Sequence, residues 1–137
     1  MFKLVKINGS KTNVPEITTF KIDGSASYKA GAIYFINNGT LSTEQAFSYD
    51  IKFIPIETIP ENSGKTIIHG FIVNSDMVFE TEICSLSDSV QVGDLISACF
   101  NDPDSITHVE DALGEEALLL CKDGVEKTNK VLVALKW

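Results

Sequence analysis

The sequence contains no arginine. Arginine's planar fork is the usual side chain for reading guanine edges and clamping phosphates, so its absence argues against a nucleic-acid or nucleotide binder. Cysteine is scarce: Cys84, Cys99 and Cys121 are odd in number, widely spaced and set in apolar surroundings. A secreted disulfide framework asks for an even count and closer spacing, so these read as buried free thiols acting as small hydrophobes. No apolar run approaches the ~18 residues that span a bilayer, so no membrane partner is expected. The lysine-bearing opening segment has neither an unbroken apolar stretch nor a small-residue cleavage site. It does not read as a signal peptide, and folding in the cytosol or another unsecreted setting is expected.

What is present is a chain of single-domain size. With 137 residues and 44% hydrophobic content it can close one substantial core. The net charge of −8 is uneven. Residues 1–60 carry six lysines against five acids (+1), whereas residues 61–137 carry five lysines against fourteen acids (−9). An acidic half without a basic stripe would repel a phosphate backbone, which again excludes nucleic acid as a partner.

Short β-type runs separated by turn residues dominate the pattern. Asn8-Gly9, Asp23-Gly24, Asn38-Gly39 and Asp123-Gly124 are strong hairpin signals, because type I′ turns need positive φ at both central residues. Strands are expected at residues 2–7, 18–22, 32–36, 51–56, 66–73, 77–84, 94–100, 116–122 and 130–137. In the sixth of these, Met77, Phe79, Thr81 and Ile83 alternate with Val78, Glu80, Glu82 and Cys84, the signature of a half-buried strand with its glutamates in water. Residues 66–73 are apolar on both faces and are expected to be central and covered on each side. Val131, Val133, Leu135 and Trp137 share a face, which ties the last run into a sheet. Thr107 and Glu110 have capping-box spacing, so residues 107–113 are expected to form a short helical turn or a loop. Residues 57–65 read as an exposed loop. The expected fold is a single all-β domain over residues 1–137. It is a small antiparallel β-barrel or β-sandwich with at most one short helix, and residues 1–10 are able to serve as a short arm.

A search for chemistry finds only incomplete motifs. Gly64-Lys65-Thr66 ends like a phosphate loop, but Ile59 stands where its first glycine belongs, and a strand follows. Asn101-Asp102-Pro103-Asp104-Ser105 is oxygen-rich, yet Ile106, Thr107 and Leu113 occupy positions where a calcium loop needs an oxygen donor, a glycine and a glutamate. His108-Val109-Glu110 lacks the Pro-Cys-x-x-Cys half of a zinc deaminase. His69 reads as a hydrogen-bonded core histidine. A Cys–His pair could form in space but has no local motif. Asn8-Gly9-Ser10 and Asn38-Gly39-Thr40 read as turns and not as glycan acceptors. Glu80 and Glu82 read as a solvated strand face rather than an acid–base pair. No catalytic residue, no cofactor and no metal is assigned.

Several phrases in order carry a resemblance. Residues 28–35 (YKAGAIYF) lead into the turn 37–41 (NNGTL). Then come 75–80 (SDMVFE), 90–95 (VQVGDL) and 130–135 (KVLVAL). This order resembles small β-rich head proteins of tailed phages and prophages of Gram-positive bacteria. The chain departs from their pattern at residues 101–114, which are acidic where a Gly/Thr-rich linker is expected. The resemblance implies a non-enzymatic capsid decoration protein, made in the bacterial host cytoplasm and carried on the virion exterior. It would bind the major capsid protein and cement neighbouring subunits, and a homo-oligomer is compatible with that role. Contacts are expected at the N-terminal segment and the 57–65 loop, through Met1, Phe2, Lys3, Leu4, Ile59, Pro60, Asn62 and Lys65, because edges and protruding loops reach a partner without disturbing a core. Two alternatives come from other classes: a β-sandwich carbohydrate-binding module, which would display exposed aromatics, and a small thiol hydrolase.

Overall fold

In the computed structural model, residues 1–44, 50–83, 89–102, 105–122 and 129–136 are described. Among the described residues eleven strands form two antiparallel sheets and no helix occurs, so the chain is all-β. The strands are β1 (Lys3–Ile7), β2 (Thr18–Lys21), β3 (Tyr34–Asn37), β4 (Thr40–Ser42), β5 (Ile51–Pro55) and β6 (Ile67–Ile72). The second half supplies β7 (Met77–Glu82), β8 (Leu95–Asp102), β9 (Ser105–Leu113), β10 (Ala117–Cys121) and β11 (Lys130–Leu135). The six-stranded sheet has the order β1-β7-β11-β10-β8-β9, and the five-stranded sheet the order β2-β6-β5-β3-β4.

The six-stranded sheet curls. Three register shifts interrupt the β8–β9 ladder, and such bulges bend strands and increase their twist. The curl brings β9 back to β7, where Ile83 and Val109 form a parallel bridge and the buried Thr81 hydroxyl donates to the Thr107 carbonyl at 3.5 Å. An antiparallel bridge from Ile33 to Ile106, with the Ile33 N–H donating at 2.8 Å, links the two sheets.

The main core lies between the sheets. Phe79, Val133, Ile96, Val109 and Leu119 come from the curled sheet, and Phe35, Ile54, Phe71 and Val73 from the other. Phe79 takes the edge of the Phe2 ring at 6.4 Å and stacks with Phe71 at 6.4 Å. Fully burying one such side chain stabilises the fold by roughly 1.5–3 kcal/mol. A second cluster covers the opposite face of the five-stranded sheet, where Tyr28, Tyr34, Phe53, Ile59 and Ile68 pack together, with Phe20 at its side. Its lid consists of chain segments rather than a sheet. The N–H groups of Tyr28 and Ile59 each donate to the other's carbonyl at 2.8 Å, strapping the 57–65 loop onto residues 24–28.

Several expectations are met. Nine strands lie where the sequence places them, and β7 alternates as read, with Met77, Phe79 and Thr81 buried. Asn8-Gly9 and Asn38-Gly39 take positive φ at both positions. Val131, Val133 and Leu135 face the core, whereas Trp137 lies outside the described residues.

Others need correction. Residues 107–113 are strand, not helix or loop, because Ile106, Thr107 and Val109 are buried while Ile106, His108 and Val109 pair along β8. β4 is an additional strand. Asp23-Gly24 is no hairpin; Asp23 accepts the Ser25 N–H and hydroxyl, and its chain turns away to the strap. Asp123-Gly124 lies outside the described residues. β6 is interior to its sheet but covered unevenly: Ile68, Gly70 and Phe71 are buried, while Ile67, His69 and Ile72 are exposed.

Candidate functional site

The residues proposed for partner contact divide sharply. Phe2 and Ile59 are corrected outright: at 3% and 1% exposure they belong to the two cores, so neither can reach a partner. The cause is local pairing, since Phe2 donates its N–H to Gly31 while Ile59 is held in the strap. Leu4 is half-buried, paired with Phe79 and packed against the main core. Lys3 lies opposite Glu80 on the outward side of the β1 edge, and the Met1 ammonium bonds the Glu82 carboxylate. Pro60, Asn62 and Lys65 are exposed, although the Asn62 N–H donates to Ser25. Residues 1–10 therefore form an edge strand and a tight turn in which Ile7 and Ser10 exchange backbone bonds.

His69 is half exposed, not a core residue, but it is hydrogen-bonded. Its Nδ1 lies 2.7 Å from Glu57 Oε1, which also accepts the His69 backbone N–H at 2.8 Å, and Lys65 Nζ stands 3.7 Å from Glu57. These bonds, led by the imidazole, hold the Glu57 carboxyl below its ordinary range. A carboxylate can orient an imidazole for catalysis only when a nucleophile and oxyanion donors converge on it. The cross-strand neighbour of His69 is Thr19 on an open sheet surface, where water competes for every contact.

The β8–β9 register sets Cys99 opposite His108, the one Cys–His juxtaposition on a ladder among the described residues, with His108 Nδ1 3.4 Å from the Thr107 hydroxyl. Cys99 and Cys121 are half-buried and not in disulfides; Cys84 lies outside the described residues. Gly64-Lys65-Thr66 is exposed and runs straight into β6, so no helix N-terminus follows it. At the edge of the oxygen-rich segment Asp102 pairs with Ser105 on the β8–β9 ladder, and residues 103–104 lie outside the described set. Among the described residues no three His, Cys, Asp or Glu side chains gather as a metal site.

Sequence reasoning missed two features. Lys52 is buried at 4% exposure on the core face of β5, its ammonium 5.9 Å from the centre of the Phe35 ring. Burial pulls its pKa down, and the charges of Glu116 and Asp50 work against that. The signal was faint, a lone lysine in the run IKFIP. The second feature is apolar surface on the outward face of the curled sheet. Leu118 lies beside Leu95 on one side and Ala134 on the other. These three line a hollow of about 440 Å³ together with Ser75, Leu135 and Lys136. The signal was available in ALLLC, which is apolar at successive positions and therefore on both faces.

A separate cleft of about 470 Å³ lies over the second cluster, lined by Ser27, Tyr28, Tyr34, Ser42, Thr43 and Glu61 among others. Tyr28 and Tyr34 are 7% and 2% exposed, so neither offers an open ring for a sugar to stack on.

No protein-family model, curated protein or solved structure matches this chain.

Proposed function

We propose that this protein is a non-catalytic structural protein of a phage head, binding the outer surface of the capsid and stabilising contacts between major capsid subunits. The observation that carries the reading is the ordered set of phrases at residues 28–35, 37–41, 75–80, 90–95 and 130–135, which resembles small phage head proteins. The fold is compatible with it. Those phrases fall on or beside β3, β4, β7, β8 and β11, strands that supply side chains to the two cores. A cementing protein needs a rigid body and many modest contacts multiplied over a lattice. Co-sedimentation with undecorated capsids tests the reading. Saturable binding at micromolar protein is expected, and protein left wholly in the supernatant overturns it.

A second reading, a carbohydrate-binding module without catalysis, is favoured by the hydroxyl-rich cleft around Ser27, Ser42 and Thr43. Glycan-array binding that is lost in Glu61→Ala would establish it in place of the first.

A further inference from the structure

We propose that Asn38-Gly39 is a site of spontaneous deamidation, where this chain gains a carboxylate and a longer backbone with age, and that the tethers of Asn8-Gly9 hold that second site back from the same reaction. The proposal goes beyond the capsid reading and does not rest on it.

Four asparagines take positive φ among the described residues: Asn8, Asn38, Asn62 and Asn129. Only Asn8 and Asn38 precede glycine; Ser63 and Lys130 follow the other two, and their side chains crowd the backbone nitrogen that must react. Asn8, Gly9, Asn38 and Gly39 are all exposed, and open space surrounds both glycines where a Cβ would stand. Asp23-Gly24 is the contrasting case. Hydrogen bonds from the Ser25 N–H and hydroxyl lower the Asp23 pKa and keep it a carboxylate, which is a poor electrophile.

The step balances without a cofactor. The Gly39 amide nitrogen, losing its proton, attacks Cγ of Asn38; the new N–Cγ bond closes a five-membered imide, and the Cγ–Nδ2 bond breaks to release ammonia. Water then opens the imide at either carbonyl, giving aspartate or isoaspartate. Ring closure requires the glycine nitrogen to eclipse Cβ. In the left-handed region ψ is roughly +30 to +60°, which places that nitrogen on the far side, so each site reacts only when its turn opens.

The two turns differ in what opening breaks. Around Asn8, Ile7 and Ser10 exchange two backbone bonds of 3.0 Å, the Asn8 N–H donates to Asp76, and Asn13 Nδ2 donates to the Ile7 carbonyl at 3.2 Å. Ile7 is itself a core residue. The Asn38 turn is closed by the Asn37–Thr40 pair, with the Thr40 hydroxyl donating to the Asn37 carbonyl at 2.7 Å. It leads into β4, a three-residue strand at the sheet edge with no buried residue. Isoaspartate at 38 would lengthen this turn and loosen β4, whose Leu41 and Ser42, with Thr43 after them, form one wall of the 470 Å³ cleft.

The experiment incubates the full chain in warm, mildly alkaline buffer, folded and, in parallel, unfolded in urea. Peptide mass spectrometry and isoaspartate methylation follow each site, and each folded rate is divided by its unfolded rate. The ratio at Asn38 is expected to exceed that at Asn8 roughly tenfold, a difference of about 1.4 kcal/mol in opening free energy. A ratio at Asn38 no greater than that at Asn8 overturns the proposal, as does an Asn38 that stays intact while the unfolded chain converts. Asn13→Ala should raise the Asn8 rate several-fold and leave Asn38 alone; an unchanged Asn8 rate refutes the role of the tethers. Asn38→Gly keeps the positive φ and should abolish the acidic species that accumulates on ion exchange, whereas its persistence would place the charge gain elsewhere. The readout is covalent mass, so capsid co-sedimentation succeeds or fails independently of it.

Discussion

The two sheets solve the same burial problem differently. The five-stranded sheet is packed on both faces at its centre, by the curled sheet on one and by strapped loops on the other, although Ile67, His69 and Ile72 of β6 stay exposed. The six-stranded sheet curls around its half of the core, and its outer face stays in solvent with leucines among lysines and glutamates. A sheet covered by loops must satisfy the loops' backbone groups, which the Tyr28–Ile59 exchange and the Gly64 N–H bond to Gly24 do. A sheet covered by nothing must keep its outer face tolerable to water, and the charged rim around Leu118 and Leu132 does that. Apolar surface left outside is therefore easier to change than apolar surface under the strap.

The sharpest way to break this comparison is to empty each core. Phe79→Ala, between the sheets, and Phe53→Ala, under the strap, remove rings that are both 0% exposed. Each should cost about 3–5 kcal/mol. Because the five-stranded sheet serves both cores, chemical denaturation should still show one transition in each variant. A separate early transition in Phe53→Ala alone would mean that the strapped layer is an independent appendage.

Gly70→Ala probes the strap side more finely. A Cβ there would lie 2.4 Å from the Ile54 carbonyl oxygen and 2.4 Å from Phe53 Cζ, so the Phe53 ring occupies the space that a side chain would need. Overpacking of this kind should cost about 1–3 kcal/mol, read as a lower denaturation midpoint, and Phe53→Leu in the same background should recover part of it.

Titration separates the buried and exposed charges. Lys52 has a lowered pKa in the fold, so between that value and the ordinary lysine value of 10.5 the unfolded chain holds the extra proton. Stability contributed by this site therefore rises with pH through that alkaline window. Lys52→Met should flatten the rise relative to the parent chain when unfolding is followed at stepped alkaline pH. Glu57 works in the opposite range. Its lowered pKa contributes stability that is present above the ordinary carboxylate value and lost as pH falls through the folded value. Glu57→Gln should reduce the acid-limb slope slightly when unfolding is followed at stepped acidic pH.

The smallest effect belongs to the open face. Leu120→Lys should leave stability within about ±0.5 kcal/mol by thermal melting, as surface substitutions usually do. A loss comparable to that of Phe53→Ala would show that the outer leucines belong to a third core.

Strands with one polar face were the most legible elements. β7 could be read residue by residue, since Glu80 and Glu82 alternate with core positions and no competing period fits. β9 was obscured because Thr107 and Glu110 sit at capping-box spacing and Ala112 and Leu113 extend a helical stripe. Pairing with β8 and the buried Thr107 override that local preference, as tertiary context commonly does. Among the contact residues, Lys3, Pro60, Asn62 and Lys65 were placed at the surface from polarity and turn chemistry. Phe2 and Ile59 were misplaced because sequence position near an edge or loop says nothing about which side chain folds inward.

By itself the sequence determined the all-β character, nine of the eleven described strands and the tight turns at Asn8 and Asn38, because a period of two and positive-φ residues are local properties of the chain. Tertiary structure alone decided that the two sheets share one core, that β9 curls back to β7, that Lys52 is enclosed, and which apolar side chains stay outside. Those outcomes depend on contacts between residues far apart in sequence. No local pattern encodes whether a leucine that alternates correctly will meet another sheet or water.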